Sequence, residues 1–326
     1  MLAGPGHRGA GGPPYSSTVP TAEETDRGPG SAAPRVAAVL TAYRPGASLL
    51  DVVLDAVREC GRVVVVDNTE PGGRGVDPAA LPEGVQVIVT GYNAGLAGGL
   101  NTGLAAVLDA AGGEPPVDAV LLLDQDSRVP QGMVAALAAG LGPGVAAVGP
   151  APWDAEHDRY LDPRARLRPQ VADVATLITS GMLVRAQALR EAGPLRESFF
   201  VDCVDQDLCL RLRRSGWRLL QDRRVRLPHS LGEVRRHGVG PLRVRATHHP
   251  TWRLYWVARN GLVLARENWR AEPAWVAVSL VMLARWLVVV AAVEPPRGPR
   301  LAAFLAGLRD GLTGRSDPAR RPGARP

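Results

Sequence analysis

Four short apolar runs occupy the first part of this 326-residue chain, and each stops at polar side chains. Val36–Thr41 leads to Tyr43, Val63–Val66 to Asp67 and Asn68, Val85–Thr90 to Asn93, and Asp118–Leu123 to Asp124 and Asp126. Their length and β-branched content predict buried strands. Between the first two, Leu49, Leu50, Val53, Leu54 and Val57 recur at helical spacing, and a glycine-rich turn leads into a second helix near Leu100–Leu108. This alternation predicts an α/β fold, a mostly parallel sheet with helices on both faces. Ligands of such sheets bind beyond the carboxyl ends of the strands. That is where Thr41, Tyr43, Asp67, Asn93, Asp124 and Asp126 fall.

The flanking regions differ in character. Residues 1–34 are rich in Gly, Pro, Ser and Ala without periodicity, a composition that predicts disorder. Later strands are expected at Val145–Val148 and Val174–Ile178, and a helix at Asp205–Ser215. Trp252–Trp269 reads as an aromatic, basic helix. Pro273–Val293 is an apolar stretch of about membrane-spanning length, interrupted by Arg285. Leu301–Leu308 is a shorter amphipathic segment, and residues 315–326 form a basic, proline-containing tail expected to be disordered.

Composition removes several kinds of chemistry. The chain has no lysine, so all 38 of its Lys and Arg residues are arginine. A phosphate-binding P-loop, a pyridoxal enzyme and a protein kinase each need a lysine that is absent here. Cys60, Cys203 and Cys209 form no CxxC pair and have no metal-site spacing; their odd number, without a secretory apolar segment, suggests a reducing cytoplasm. Residues 210–270 hold fifteen arginines against Asp222, Glu233 and Glu267, a block that outweighs the whole-chain net charge of +6. A diphosphate, an anionic lipid surface or a nucleic acid would each suit it.

Three motifs carry chemistry. In Leu123-Asp124-Gln125-Asp126-Ser127, two carboxylates one residue apart follow a buried strand and suit a hard divalent cation, Mg²⁺ or Mn²⁺. Such an ion neutralises charge on a departing diphosphate. A haloacid-dehalogenase phosphatase has a similar motif, but near its start and with a later lysine. The run Gly91–Gly103 places glycines between a strand and a helix, where backbone N–H groups approach a phosphate. It also approaches the turn of short-chain dehydrogenases, whose Tyr-x-x-x-Lys pair cannot exist here. In Phe199-Phe200-Val201-Asp202-Cys203-Val204-Asp205, acids behind an aromatic pair open a helix, where one is a candidate general base and any is a candidate helix cap.

Taken in order from about Arg35 to His237, these pieces resemble family 2 glycosyltransferases. The likeness adds the Val-Val-Asp-Asn turn, Asn93-x-Gly95 with Asn101-x-Gly103, Thr179-Ser180-Gly181, and His229. The form Leu-Asp-Gln-Asp-Ser with Phe-Phe-x-Asp looks most like the rhamnosyltransferase branch, as does the later segment with His249-Pro250, Arg253, Tyr255 and Arg259-Asn260. The resemblance implies a GT-A fold over residues 35–240, followed by a helical region over 241–314. It implies that Thr41, Tyr43, Asp67, Asn93, Gly95, Asn101 and Asp124 face the nucleotide sugar, and that Asp124, Asp126 and His229 hold the metal. Ser180 and Gly181 would lie on the acceptor side, with Asp205 or Asp202 as the base. The implied reaction is inverting transfer of L-rhamnose from dTDP-L-rhamnose to a cell-envelope glycan or a polyprenyl-diphosphate-linked acceptor. The implied place is the cytoplasm at the inner face of the membrane, with no nucleic acid partner. An oligomer contact is another use for the apolar helix.

Overall fold

The computed structural model describes residues 33–109, 116–228, 234–237, 244–247, 249–292, 295–317 and 320–321. The strand–helix alternation takes the form β1 (Val36–Ala42), α1 (Ser48–Glu59), β2 (Arg62–Asp67), β3 (Gln86–Val89), α2 (Gly95–Leu108), β4 (Ala119–Asp124) and α3 (Met133–Ala139). After these come β5 (Val145–Asp154), β6 (Arg159–Tyr160), β7 (Val171–Asp173), β8 (Met182–Arg185), α4 (Ala186–Ala192), α5 (Val204–Arg214) and β9 (Arg218–Pro228). A small ribbon, β10 (Val234–His237) with β11 (Val244–Thr247), precedes three helices: α6 (Thr251–Asn268), α7 (Pro273–Ala292) and α8 (Arg297–Thr313).

Nine strands form one sheet in the order β3-β2-β1-β4-β8-β5-β9-β7, with β6 paired to β5. β3, β2, β1 and β4 run parallel, and β8 enters antiparallel beside β4. Strand periodicity divides the core into two layers. Ala37, Val39, Val64 and Val66 face a cluster with Leu100 and Leu104 of α2 and Leu208 and Leu212 of α5. Ala38, Leu40, Val63 and Val65 face the other way, against Val52 and Val53 of α1 and Met133 and Leu137 of α3. The predicted α/β fold is therefore present, with helices on both faces.

The structure corrects or sharpens three sequence expectations. Val174–Ile178 is not a strand; the ladder uses β7 and β8 on either side of it, and the intervening loop is apolar because Val174 and Leu177 are buried in the core. On α1 the buried face is Leu49, Val52, Val53 and Ala56, while Leu50, Leu54 and Val57 are exposed. A helix with apolar residues on more than half its circumference does not declare which stripe is buried. Of the basic tail, residues 315–317 are held against α6: Asp317 N donates to Tyr255 Oη at 2.8 Å, and Arg259 Nε to the Arg315 carbonyl at 3.0 Å. The 1–32 part of the expected disordered segment lies outside the described residues.

The C-terminal helices are attached through α6. Leu264 joins the core beneath the sheet, Tyr255 and Trp256 pack around Phe200, and Arg196 pairs with Glu267 at 2.9 Å. α7 has 20 residues and mean hydropathy 2.1, long and apolar enough to cross a membrane by length and composition, and little of it is buried. Its exposed residues include Val278, Val281, Met282 and Val288, with Arg285 among them.

α2 lies unusually close to the sheet because Gly103 has no side chain. A Cβ there would overlap Val39 and come within 3.1 Å of Val66 Cγ2. Gly103→Ala is therefore expected to destabilise the fold by about 1–3 kcal/mol, the usual cost of overpacking, despite the better helix propensity of alanine. Gly61→Ala, where nothing lies within 4 Å, is the control. Urea unfolding midpoints decide; a stabilised Gly103→Ala would contradict this packing.

Candidate functional site

The site begins with strand register. Thr41 of β1 stands opposite Asp124 of β4, and Ala42 opposite Asp67 of β2, so three strand ends reach the same level. α2 then approaches them from one side: the Gly99 position faces Thr41 and Asn68, and Asn68 Nδ2 donates to the Gly95 carbonyl at 2.7 Å. Gly95 needs to be glycine twice over, since its φ is +73° and a Cβ would sit 2.5 Å from the Phe200 ring. Asn93 Oδ1 accepts from Gly95 N at 3.0 Å just before the helix. Thr41 Oγ1, Asn68 Oδ1 and Glu70 Oε2 are buried atoms without a protein hydrogen-bond partner. Buried polar atoms normally have one, so this rim is suited to an incoming polar ligand.

Neighbouring side chains are committed to the protein. Asp67, 3% exposed, accepts from Thr69 N at 2.9 Å and Val76 N at 2.7 Å, shaping the loop after β2. Tyr43 N donates to Gln125 Oε1 at 2.8 Å, and its hydroxyl to Glu70 at 3.1 Å. Burial, followed by that contact with Glu70, pushes the Tyr43 hydroxyl's pKa up. Asn101 is a latch: its amide joins Leu195 N, the Leu195 carbonyl and Glu197, at 2.8, 3.0 and 2.9 Å. Both amide donors are used there, so the structure gives Asn101 a loop-holding role instead of a free face toward a nucleotide sugar.

The carboxylates meet at the Thr179–Gly181 turn. Gly181, at φ +77°, donates its N–H to the Leu122 carbonyl at 2.9 Å and ties the turn to β4. Ser180 gives its hydroxyl to Asp124 Oδ2 in a short hydrogen bond, while the Thr179 N–H binds Asp205. Ser180 and Gly181 thus link the strand-end acid to the acid that opens α5. Asp205 also accepts from Gln206 N at 2.8 Å. Burial, with smaller contributions from the charges of Asp124 and Asp202, raises its pKa to about 6. Asp202 is held differently, by a two-pronged ion pair from Arg253 at 2.7 to 3.0 Å.

A divalent cation fits this donor set. Asp124 is half-buried and Asp126 exposed beside it; hard carboxylate oxygens at a strand end near further carboxylates favour Mg²⁺ or Mn²⁺ over soft metals. The loop that carries Asp126 is anchored behind it, as Arg128 Nε pairs with the buried Asp55 at 2.6 Å and Glu59 accepts from Gly132 N at 2.7 Å. The spacing of Asp55 and Glu59 on α1 is a signal the sequence reading did not use. His229 lies outside the described residues. A second group, Asp154, Glu156 and His157, brings ligand atoms within 4.8 Å of one another at the β5–β6 turn, but Glu156 and His157 are exposed and Arg159 pairs with Asp154. The cysteines are packing residues, with burial pushing the Cys60 and Cys209 thiols up to about 12.

The raised pKa of Asp205 has a consequence for stability. Below about pH 4 the carboxyl is neutral whether the chain is folded or not. Between pH 4 and 6 the unfolded chain ionises first, so folding loses stability as pH rises, and above 6 the loss is complete. Asp205→Asn is accordingly expected to melt higher than the parent protein at pH 8 without added metal, by the equivalent of up to about 3 kcal/mol, and alike at pH 4. A melting difference that is flat across this range would show that Asp205 is not perturbed.

No family model matches the chain. The dTDP-rhamnosyl transferase RfbF of Shigella flexneri is 25% identical over 244 residues, covering 71% of this chain and 80% of that protein. The N-acetylglucosaminyl-diphospho-decaprenol L-rhamnosyltransferase of Mycobacterium tuberculosis is 25% identical over 300 residues, 81% of this chain and 95% of that one. Among solved structures, the mannosyltransferase PcManGT from Pyrobaculum calidifontis in complex with GDP-Man and Mn²⁺ matches with a TM-score of 0.55, over 87% of this chain and 88% of that one at 17% identity. That likeness shows the fold, and the two sequence relatives, both rhamnosyltransferases, match most of the chain's length. A parallel sheet with acids at its strand ends, these relatives and this shared fold agree: the chain is a transferase of the GT-A type, similar in sequence to bacterial rhamnosyltransferases.

Proposed function

We propose that this enzyme transfers L-rhamnose from dTDP-L-rhamnose, with inversion, to a hydroxyl of a glycan carried on a polyprenyl diphosphate. The observation that carries the reading is the pairing of Asp124 and Asp205 through Ser180 and Thr179, beside the unpartnered atoms Thr41 Oγ1 and Asn68 Oδ1. The rhamnosyl donor and lipid-linked acceptor come from the names of the two sequence relatives.

In this reading Thr41 and Asn93 border the nucleoside, Asp67 holds the loop that walls it, and Gly95 lets the backbone approach the donor. Asp124 and Asp126 would hold the cation, which when bound offsets charge on the leaving diphosphate. Asp205 accepts the proton of the acceptor hydroxyl. Its half-buried position favours the neutral product of that transfer, and a pKa of about 6 leaves it ionised and ready at neutral pH. Asp202 is committed elsewhere, since Arg253 binds both of its carboxylate oxygens.

Thermal-shift screening of nucleotide sugars with and without Mn²⁺ tests the donor, because a specific ligand stabilises by mass action. The expected result is Mn²⁺-dependent stabilisation and turnover with dTDP-L-rhamnose in preference to UDP-hexoses. Asp205→Asn should keep this binding and transfer roughly 10²–10⁴-fold more slowly, the range of general-base contributions. Use of UDP-glucose or UDP-galactofuranose with dTDP-L-rhamnose inert would overturn the donor assignment, and a fast Asp205→Asn the base.

The same proposal puts the enzyme at the inner membrane surface, with α7 lying in the interface. Arg285 shares the exposed face of α7 with Val278, Val281 and Val288, and an arginine at the centre of a spanning helix costs roughly 2.5–3.5 kcal/mol. An in-plane helix lets that side chain reach the headgroups. Carbonate or high salt should therefore release the protein from membranes. Extraction by detergent alone would mean a span, and a wholly soluble protein active on a water-soluble acceptor would end the membrane assignment.

A further inference from the structure

The loop before α5 is bent against the preference of its residues. Phe200, Asp202 and Cys203 have φ of 57°, 59° and 62°, left-handed backbone that these side chains rarely adopt. Such backbone persists where surrounding contacts over-determine it. Here most of the contacts come from α6. Asn260, fully buried, donates from Nδ2 to the carbonyls of Phe199, Val201 and Asp202 at 2.9, 2.9 and 3.0 Å. Arg259 donates to the Ser198 carbonyl at 3.1 Å and to Asn260 Oδ1 at 2.8 Å, which orients the amide. Arg253 grips the Asp202 carboxylate through Nε and Nη2 at 2.9 and 2.7 Å. The Trp256 ring lies 5.5 Å from that of Phe200, whose carbonyl accepts from Leu96 N at 2.7 Å.

We propose that Arg253 and Asn260 are positioning residues for sugar transfer: from α6 they hold the Phe199–Cys203 loop in the one conformation that starts α5 with Asp205 against the Thr179–Gly181 turn. The helical C-terminal region is then part of the catalytic apparatus and not only a means of attachment. The arrangement also sorts the two candidate acids. A planar guanidinium that binds both carboxylate oxygens occupies Asp202 and pins its main chain, which leaves Asp205 facing Asp124 across Ser180. Both residues lie about fifty to sixty positions beyond the loop, yet each contacts it directly.

The kinetic part of this inference rests on the glycosyl-transfer reading, and its test has an arm that does not. Amide hydrogen exchange across residues 199–205 is expected to accelerate at least tenfold in Arg253→Ala and in Asn260→Ala, with the strands β1 and β4 unchanged. This needs no donor or acceptor. In transfer assays, Arg253→Ala should lower kcat about 100-fold while the donor KM moves less than threefold, and millimolar guanidinium should restore part of the rate. Arg253→Lys, which keeps the charge without the fork and folds more safely, should lose about tenfold in kcat. A rise in donor KM at constant kcat would make Arg253 a substrate-binding residue and overturn the proposal, as would unchanged loop exchange or full activity in both Arg253 variants. Altered exchange in a protein that transfers no sugar at all would instead retire the functional reading and leave the clamp standing.

Discussion

Crowding of negative charge is the constraint on which the rest of this structure depends. Asp124, which ends β4, and Asp202, in the loop before α5, both act electrostatically on Asp205, and half-burial makes that repulsion stronger than it would be in water. Each acid is managed by a different device. Asp124 receives the Ser180 hydroxyl and suits a cation, Asp202 has the Arg253 guanidinium, and Asp205 has two backbone N–H groups and a raised pKa. Three identical functional groups thereby acquire three different sets of partners.

The scaffold that enforces this division is stiff where it must be. Thr41, Asp124 and Asp67 are level because β1, β2 and β4 pair in parallel register, and a slip of one residue would turn each side chain to the opposite face. The glycines of α2 let that helix sit almost on the sheet, bringing Gly95 and Leu96 to the Phe200 carbonyl. The loop before α5 is the strained element, with three left-handed non-glycine residues at a cost on the order of 1–3 kcal/mol each. Its supports come from α2 on one side and α6 on the other.

A local pattern marks much of the candidate site. Strand ends with Thr41, Asp67, Asn93, Asp124 and Asp126 were legible because a buried strand must be apolar and must stop where the chain meets ligand or water. The roles within that set were less so. Asp67 turns both oxygens to its own loop, and Asn101 spends its amide on Leu195 and Glu197. The partners of Asn101 lie more than ninety residues away, and a motif names only the residue type.

The sequence by itself determined the α/β class, the parallel first half of the sheet and the level at which the polar strand ends gather. These follow from hydrophobic periodicity and from the polar residues that end each run, which are properties of a dozen neighbouring positions at most. Only the tertiary structure decided which stripe of α1 is buried, that Val174–Ile178 packs as a loop, and that Arg253 and Asn260 on α6 hold the loop carrying Asp202. The reason is the range of the interactions. Backbone pairing and amphipathic patterns are local, whereas a guanidinium meeting a carboxylate fifty-one residues back is fixed by how helices dock on the finished sheet.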